Sequence, residues 1–371
     1  TVSGRTLWLG GTRIAREREA SQFNCSFLEV ESVHDVVDAL WLLMQGCGVG
    51  FKAMPGILNG FVKPMEIEVI RSKRKSKGKA SNMESYENGV WKIKVGDSAE
   101  SWSKALGKML ASKYPADKLI LDLSEIRPSG SRLKGYGWIS SGDDSISRSF
   151  PAIAKILNRK AGKLLDKIDI LDILNWCGTI LSSRRSAQIA LHDFNSSQWE
   201  DFATAKKEFW VHNPQRAQSN NSLVFYNKPS KAELHYVFRL MLLSGGSEPG
   251  FINGETSLKR AEWYRGQNPC AEISLGNRSF CNLVEIDLQK FNGDFQGLLR
   301  AVNVMSRANY RQTCVNLDDG MLQRTWHELN EFLRLCGVGL TGIVGWEYLM
   351  DKEKIQQVKE AAYKGAHSMA D

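Results

Sequence analysis

The sequence predicts an α/β protein, because segments with helical periodicity alternate with short apolar strands. Val33 to Gln45 repeats its apolar side chains with the spacing of a helix. Lys118 to Leu123 is a short apolar run typical of a buried strand, and Leu164 to Leu181 again has the pattern of a long helix. With 371 residues the chain can form one large domain or two of ordinary size.

The remaining elements continue this alternation along the chain. Gly46 to Phe51 is rich in glycine and predicts a turn after the first helix. Residues 188–191 predict a strand, and Ser219 to Val224 predicts a turn that enters another strand. Further helices are predicted at Trp199–Phe209, Ala232–Leu243, Gly297–Tyr310, Gly320–Leu335 and Lys352–His367.

The composition is typical of a soluble globular protein, with 42% hydrophobic and 24% charged residues. Apolar runs such as Ala39 to Met44 are too short to span a bilayer, and no signal-peptide pattern is present. Seven cysteines in such a chain indicate a reducing compartment, in which a disulfide is more often catalytic than structural. We therefore expect a cytoplasmic protein without a membrane partner. No Cys/His spacing indicates a metal site.

The chain is basic, since Lys and Arg exceed Asp and Glu by 49 − 41 = 8 and the pI is about 9.0. Such a balance suits a phosphate-bearing partner. Much of the excess lies in residues 71–79, between two strand-like stretches. This segment is interpreted as a solvated hairpin loop or as a nucleic-acid contact. The first interpretation is favoured, and nucleic acid is not expected as a partner, because no nucleic-acid-binding module accompanies the segment.

Three cysteines stand in motifs that indicate thiol chemistry. Asn268, Cys270 and Glu272 alternate within six residues, Cys281 follows eleven residues after Cys270, and Cys25 lies far upstream. In an extended segment residues i and i+2 point to the same side, which predicts that the first three converge on a small polar substrate. One thiol beside an acid/base group, with two further thiols as a dithiol, suits thiol redox chemistry.

The chain resembles the ribonucleotide reductases in a series of motifs that occur in the same order. The motifs are Phe23-Asn24-Cys25, Gly46-Cys47-Gly48-Val49-Gly50-Phe51, Ile126-Arg127-Pro128 with Ser141-Gly142, Arg184-Arg185-Ser186-Ala187, Ser219-Asn220-Asn221-Ser222, Glu248-Pro249-Gly250-Phe251, Asn268-Pro269-Cys270-Ala271-Glu272-Ile273, Cys281-Asn282-Leu283 and Gly337-Val338-Gly339-Leu340-Thr341-Gly342. Each motif alone is weak, but a collinear series over about residues 23–345 is hard to produce by chance. The Asn-Pro-Cys form and the Cys-Gly-Val-Gly-Phe turn most resemble the adenosylcobalamin-dependent (class II) enzymes, especially the monomeric ribonucleoside-triphosphate reductases.

The resemblance implies a role for each motif residue. Cys270 matches the thiol that becomes a thiyl radical and removes the 3′ hydrogen of the substrate. Cys25 and Cys281 match the pair that delivers two electrons and ends as a disulfide. Glu272 matches the carboxylate that takes the 3′-hydroxyl proton, and Asn268 matches the amide that hydrogen-bonds the same edge of the ribose.

The resemblance also implies the substrate, the cofactor and the partners. The substrate would be a ribonucleoside triphosphate or diphosphate, with Asn24, Ser26 and Gly48 as candidate substrate-binding residues. An ordinary turn-forming role is the alternative for Asn24. Adenosylcobalamin would generate the radical, a thioredoxin-type protein would supply reducing equivalents, and a deoxyribonucleoside triphosphate is a candidate effector.

Arginines in the series have two interpretations that stay open. Arg127, Arg184 and Arg185 could hold substrate phosphates through forked hydrogen bonds. A solvated or structural role is at least as well supported by the sequence.

The resemblance implies a ten-stranded α/β barrel, built from two five-stranded parallel halves set antiparallel, with Cys270 at the tip of a finger loop in its centre. Residues 1–371 would form one catalytic domain, with 61–115 as a candidate inserted hairpin or effector region. Relatives usually continue into a phosphate-binding loop and a C-terminal cysteine pair. Neither follows Gly342, so we expect the barrel to be incomplete in this chain.

Three alternative functions stay open. A class I catalytic subunit shares Cys25, Cys270, Cys281 and Glu272 but takes its radical from a separate metal-containing subunit. A non-catalytic nucleotide-binding regulator is disfavoured because all four residues are present. A nucleic-acid-binding protein that relies on residues 71–79 is disfavoured further.

Overall fold

The computed structural model describes residues 1–56, 58–133, 138–181, 187–318 and 320–370 as a mixture of helices and strands. The helices are α1 Gly4–Leu9, α2 Arg13–Glu17, α3 Val33–Met44, α4 Ala99–Ala111, α5 Ile146–Arg159, α6 Lys167–Gly178, α7 Trp199–Ala203, α8 Phe209–His212, α9 Lys231–Ser244, α10 Gly254–Arg260, α11 Phe295–Thr313, α12 Arg324–Leu333 and α13 Lys352–Ala370. The strands are β1 Cys25–Val30, β2 Gly48–Ala53, β3 Glu66–Ile70, β4 Met83–Glu87, β5 Val90–Lys94, β6 Lys118–Asp122, β7 Gln188–Asp193, β8 Ser219–Phe225, β9 Gly250–Asn253, β10 Gly266–Gln267, β11 Ser274–Leu275, β12 Ser279–Asp287 and β13 Cys336–Thr341. The α/β prediction is confirmed.

The chain divides into two compact units. The smaller unit consists of residues 1–26, 278–320 and 324–371, and the larger unit of residues 27–277 and 321–323. The boundary falls within β1, whose first two residues belong to the smaller unit.

A largely parallel sheet forms the core of the larger unit, with the strand order β1-β2-β7-β8-β9. The pairs β2–β7, β7–β8 and β8–β9 are all parallel. Every residue of β2 is buried, as is typical of a parallel strand that is covered on both faces. Helices α3 and α6 pack against β2, which gives the sheet a rigid backing.

A second sheet of the larger unit has the order β3-β6-β5-β4, so residues 71–79 connect its two edges. The interpretation of this segment as a hairpin loop is therefore wrong, because β3 pairs with β6 and not with β4. Two arginines of residues 71–79 form ion pairs with carboxylates of the larger unit. Arg71 Nε lies 2.7 Å from Asp143 Oδ2, and Arg74 Nη1 lies 3.2 Å from Glu125 Oε2.

The candidate inserted region 61–115 contains β3, β4, β5 and α4. Its hairpin is the antiparallel pair β4–β5. Effector binding by this region, and the assignment of the chain to one catalytic domain, stay predictions.

The smaller unit is built around the parallel pair β12–β13, which α11 covers, and α13 packs against α11. Asn309 ties α11 to both strands, because its Nδ2 donates to Asn282 O at 3.2 Å and to Gly337 O at 2.9 Å. A buried apolar cluster that includes Leu298 and Trp346 fills the space between strands and helices. The longest described helices, α11 and α13, have 19 residues each, and no described helix is long and apolar enough to cross a membrane.

Most predicted elements are confirmed, but several of them have other bounds than predicted. The predicted turn at Gly46–Phe51 is confined to its start, where Gly46 has a φ of 80°, and Gly48 already begins β2. The helix predicted at Trp199–Phe209 ends at Ala203. Glu208 adopts a φ of 49°, a left-handed conformation that a continuous α-helix does not allow. Helix α5 was not predicted, because Pro151 interrupts its pattern.

His192, at the carboxyl end of β7, links the stability of the larger unit to pH. Its side chain is 2% exposed, and burial, assisted by the charge of Lys167, lowers the pKa of His192 to about 4. The histidine of an unfolded chain has a pKa of about 6.5. The unfolded chain therefore takes up this proton first as the pH falls. The stabilisation is fully present above pH ~6.5 and is lost toward pH ~4.

We predict that His192→Gln flattens the pH dependence of the free energy of unfolding between pH ~6.5 and ~4, by at most about 3 kcal/mol. Urea denaturation at a series of pH values measures this. His235→Gln, at an exposed position of α9, is the matched control and should keep the wild-type profile. Identical profiles for the wild type and His192→Gln would contradict the prediction.

Candidate active site

Cys270 lies at the tip of a hairpin in the larger unit. Strands β10 and β11 pair antiparallel, and residues 268–273 join them. Cys270 and Glu272 are exposed, whereas Asn268 is fully buried. The predicted finger loop therefore has the form of a short antiparallel hairpin that presents the thiol and the carboxylate to solvent.

The loop is a turn and not an extended segment. Ala271 N donates to Asn268 O at 2.8 Å, which closes a turn with Pro269 in the second position, and Ala271 has a φ of 66°. The prediction that strand alternation brings the three groups to one side is wrong, because a six-residue connection between antiparallel strands has to reverse direction. Proline favours this second turn position, since its ring fixes φ near −65°. The turn sets the relative positions of Cys270 and Glu272.

Asn268 bridges the loop and keeps one donor available. Its Oδ1 accepts a hydrogen bond from Ile273 N at 3.0 Å, and its backbone N donates to Ile273 O at 3.3 Å. The side chain is 0% exposed, and its Nδ2 has no partner within the part of the chain that the structure describes. A buried amide donor without an acceptor is unfavourable. Nδ2 is therefore well suited to donate to an oxygen of a bound ligand.

Two glycines let the hairpin stem lie directly on the sheet of the larger unit. A Cβ atom at Gly50 would lie 2.0 Å from Gln267 O, and one at Gly266 would lie 2.2 Å from the ring of Phe27. Real Cβ atoms do not approach so closely, so a side chain at either glycine would displace the stem. Strands β1 and β2 therefore fix the position of the loop.

Cys25 and Cys281 lie on adjacent strands within the smaller unit. Asn24 N donates to Cys281 O at 3.3 Å, which joins the start of β1 to β12. The two cysteines are 1% and 0% exposed. The rings of Phe23 and Phe280 stack beside them, with centroids 4.3 Å apart. Positions on neighbouring strands suit a pair that forms a disulfide, and this redox role stays a prediction.

The candidate substrate-binding residues fall in both units. Asn24 and Ser26 flank Cys25 in the smaller unit, and Gly48 begins β2 in the larger unit. Asn24 Oδ1 is buried without a partner among the residues described, which is compatible with a polar ligand. Gly48 O accepts a hydrogen bond from Cys47 Sγ at 3.5 Å. Substrate binding by these residues stays a prediction.

The arginines of the motif series are only partly described. Arg127 Nε lies 3.0 Å from Asp97 Oδ1, and the two side chains are 14% and 5% exposed. This ion pair favours the structural interpretation of Arg127. Arg184 and Arg185 lie outside the described residues.

The sequence patterns did not predict a polar cluster at the carboxyl ends of β2, β7 and β8, in which Lys52 is buried and Asp193 and Tyr226 are half-buried. Lys52 Nζ lies 2.7 Å from Asp193 Oδ1 and donates to Tyr226 OH at 3.1 Å. Burial lowers the pKa of Lys52, but Asp193 and Tyr226 together raise it further, so the pKa lies above its ordinary value. The sequence feature that could have predicted this cluster is Lys52, a charged residue near the end of an apolar strand. In parallel sheets, ligands and functional groups lie at the carboxyl ends of the strands.

The chain is similar over most of its length to adenosylcobalamin-dependent ribonucleoside-triphosphate reductases. The protein of that name from Lactobacillus gasseri is 28% identical over an alignment that covers 93% of this chain. The protein from Lactobacillus leichmannii is 26% identical with the same coverage. The chain spans about half the length of these curated relatives, 52% of each. No family model matches the chain.

The chain has the fold of a solved B12-dependent (class II) ribonucleotide reductase. The two structures superpose with a TM-score of 0.78 over 99% of this chain and 60% of that chain, at 23% sequence identity. The predicted fold class is thereby confirmed. Among the described residues, seven strands follow the orders β13-β12-β1 in the smaller unit and β1-β2-β7-β8-β9 in the larger, fewer than the ten of a full barrel.

We predict that Gly50→Ala lowers the free energy of unfolding by about 1–3 kcal/mol, because the added methyl group overlaps Gln267 O. Urea denaturation measures the change. Gly246→Ala is the matched control, since the nearest atom to a Cβ there is Glu248 N at 4.0 Å. Equal stability of the two variants would show that the hairpin stem does not require a glycine at position 50.

Proposed function

We propose that this chain, whose fold is that of class II ribonucleotide reductase, carries the catalytic centre of a ribonucleoside-triphosphate reductase. The reaction is reduction of the substrate at C2′ to the 2′-deoxyribonucleotide through a thiyl radical on Cys270. The observation that carries the proposal is the hairpin, which holds Cys270 at its tip with Glu272 in the same loop. The name of the curated relatives supports a triphosphate as substrate.

Three side chains of the hairpin would act on the ribose. The sulfur radical of Cys270 removes the hydrogen atom from C3′. Glu272 accepts the proton of the 3′-hydroxyl group, and this hydrogen bond strengthens as negative charge grows on the oxygen. Asn268 Nδ2, which is buried without a partner among the described residues, donates to an oxygen on the same edge of the ribose.

Cys25 and Cys281 would supply the two electrons of the reduction. One thiol hydrogen leaves with the 2′-hydroxyl group as water and the other goes to C2′, while the two sulfur atoms join in one disulfide. A hydrogen atom then returns from Cys270 to C3′, which regenerates the sulfur radical. The burial of the pair keeps bulk water from its two thiols. An external dithiol of the thioredoxin type restores the thiols by disulfide exchange.

Adenosylcobalamin is the cofactor in the relatives' name, and the exposure of the hairpin tip fits a bulky group of this kind. Cys270 and Ala271 are both exposed, so they offer a surface on which it would lie. When bound, the cofactor would supply the radical by homolysis of its Co–C bond. The protein side chains bind and orient the substrate and move its protons.

The alternative functions have less support. The relatives' name favours class II over a class I subunit. The nucleic-acid interpretation of residues 71–79 loses support, because Arg71 and Arg74 are paired with Asp143 and Glu125. A deoxyribonucleotide effector, a thioredoxin-type partner and a cytoplasmic location remain part of the proposal.

We predict that the protein converts ribonucleoside triphosphates to deoxyribonucleotides anaerobically with dithiothreitol and adenosylcobalamin, and that Cys270→Ser abolishes the product. Glu272→Gln should lower kcat by about 10²–10⁴-fold, because it removes the proton acceptor. Chromatography of the products measures both effects. Cys314→Ser, at an exposed position outside the site, is the matched control and should keep the wild-type rate. Product formed only with a separate metal-containing subunit would support class I, and no product in either assay would reject the proposal.

We predict that one turnover without an external reductant leaves a disulfide between Cys25 and Cys281, because the pair delivers the two electrons. Mass spectrometry of non-reduced peptides identifies the bridge. Cys281→Ser should prevent it, whereas Cys177→Ser, at a buried position in α6, should not. Deoxyribonucleotide formed without this disulfide would contradict the assigned reductant pair.

A further inference from the structure

We propose that Lys52 and Tyr264 are positioning residues, which anchor the root of the Cys270 hairpin to a polar cluster at the carboxyl ends of β2, β7 and β8. The reaction that they serve rests on the proposed function, but the anchoring itself is a property of the fold. Tyr264 stands before the outgoing strand of the hairpin, and Lys52 stands on β2 beneath it.

The outgoing strand is held through Tyr264. Its hydroxyl group donates to Gln267 Oε1 at 2.8 Å, and the two residues are 1% and 4% exposed. Burial raises the pKa of Tyr264, so its phenol stays protonated and remains a donor. Gln267 immediately precedes Asn268, so this hydrogen bond fixes the strand next to the first functional residue of the loop.

Lys52 shares the face of β2 on which the hairpin lies. Gly50 directs its open side at Gln267 O, and residues two apart on a strand point to the same face. Lys52 is 5% exposed. An ion pair with Asp193 and a hydrogen bond to Tyr226 stabilise its ammonium group. The charges of Tyr226 and Asp193 both raise the pKa of Tyr264. Lys52 therefore lies on the face of β2 that the hairpin stem covers.

The returning strand is attached to β1. Asn277 Oδ1 accepts a hydrogen bond from Glu29 N at 2.9 Å, and its Nδ2 donates to Glu31 Oε2 at 3.4 Å. Arg265 N donates to Leu275 O at 2.8 Å, which joins the two strands at the root. Both ends of the hairpin are therefore fixed to the sheet, and the loop extends from this base.

Anchoring at the root matters because hydrogen abstraction depends on the position of the sulfur. A displacement of about 1 Å can lower a rate roughly a hundredfold. The loss of Lys52 removes the ion-pair partner of Asp193, whose side chain is 35% exposed, and perturbs the surroundings of that carboxylate. The loss of the Tyr264 hydroxyl group removes its hydrogen bond to Gln267 and its interaction with Ser257, while the ring stays in place.

The test compares Tyr264→Phe and Lys52→Met with the wild type by amide hydrogen–deuterium exchange and by steady-state kinetics. The amides of Asn268, Ala271 and Ile273, which are hydrogen-bonded within the loop, should exchange about tenfold faster in both variants. In the proposed reaction kcat should fall at least about tenfold, whereas KM should stay within about twofold.

Two references separate the anchoring from general instability. Tyr236→Phe removes a surface hydroxyl group that donates to Glu200 Oε1 at 3.0 Å, and it should change neither exchange in the loop nor kcat. Amides of α3 report global opening, and faster exchange there to the same extent as in the loop would overturn specific anchoring. Unchanged loop exchange in Tyr264→Phe would also overturn it, whatever the activity. Faster loop exchange in a protein without reductase activity would support the anchoring and reject the proposed function.

Discussion

The close contact between Gly50 and Gln267 O is the constraint on which the candidate site depends. In a sheet buried on both faces, side chains normally separate the strands from the backbone that packs on them by several ångströms. Gly50 has no side chain, so the stem of the hairpin rests directly on the backbone of β2. The rigidity of the parallel sheet is thereby transferred to a loop whose strands have only two residues each. Loops of this size hold a reactive group in place only when the structure beneath them does not move.

Much of the fold was predictable from sequence because its periodicities are strong. Val33–Met44 and Lys352–Ala370 follow the helical repeat, and Lys118–Asp122 is a short apolar strand with a polar end. The errors have a common physical origin. In the strand Gly48–Ala53, Gly50 serves close packing and not a turn, and only its contact with Gln267 O reveals this. Pairing between β3 and β6 likewise depends on contacts between residues far apart in sequence, which local patterns do not record.

The candidate site was predictable in its residue types but not in its geometry. The order of the motifs along the chain is enough to single out Cys25, Cys270 and Cys281 among the seven cysteines. Residues 268–273 do not show the expected strand alternation. The turn at Pro269 and the left-handed conformation of Ala271 reverse the chain direction there. Lys52 was not predicted as a functional residue, because a single lysine at the end of a strand is not a motif. Its ion pair with Asp193 and its hydrogen bond to Tyr226 form only in the folded sheet.

The unpartnered donor of Asn268 also has a consequence for selectivity. The folded chain already bears the penalty of a desolvated amide, and a ligand that supplies an oxygen at that point relieves it. A ligand of the same shape without the oxygen would keep the penalty and lose about 1–3 kcal/mol relative to the correct one. If the loop binds such a ligand as proposed, it would discriminate against ligands that lack the oxygen. Ile273 N donates to Oδ1 of Asn268, so Nδ2 is the atom of the amide that is presented.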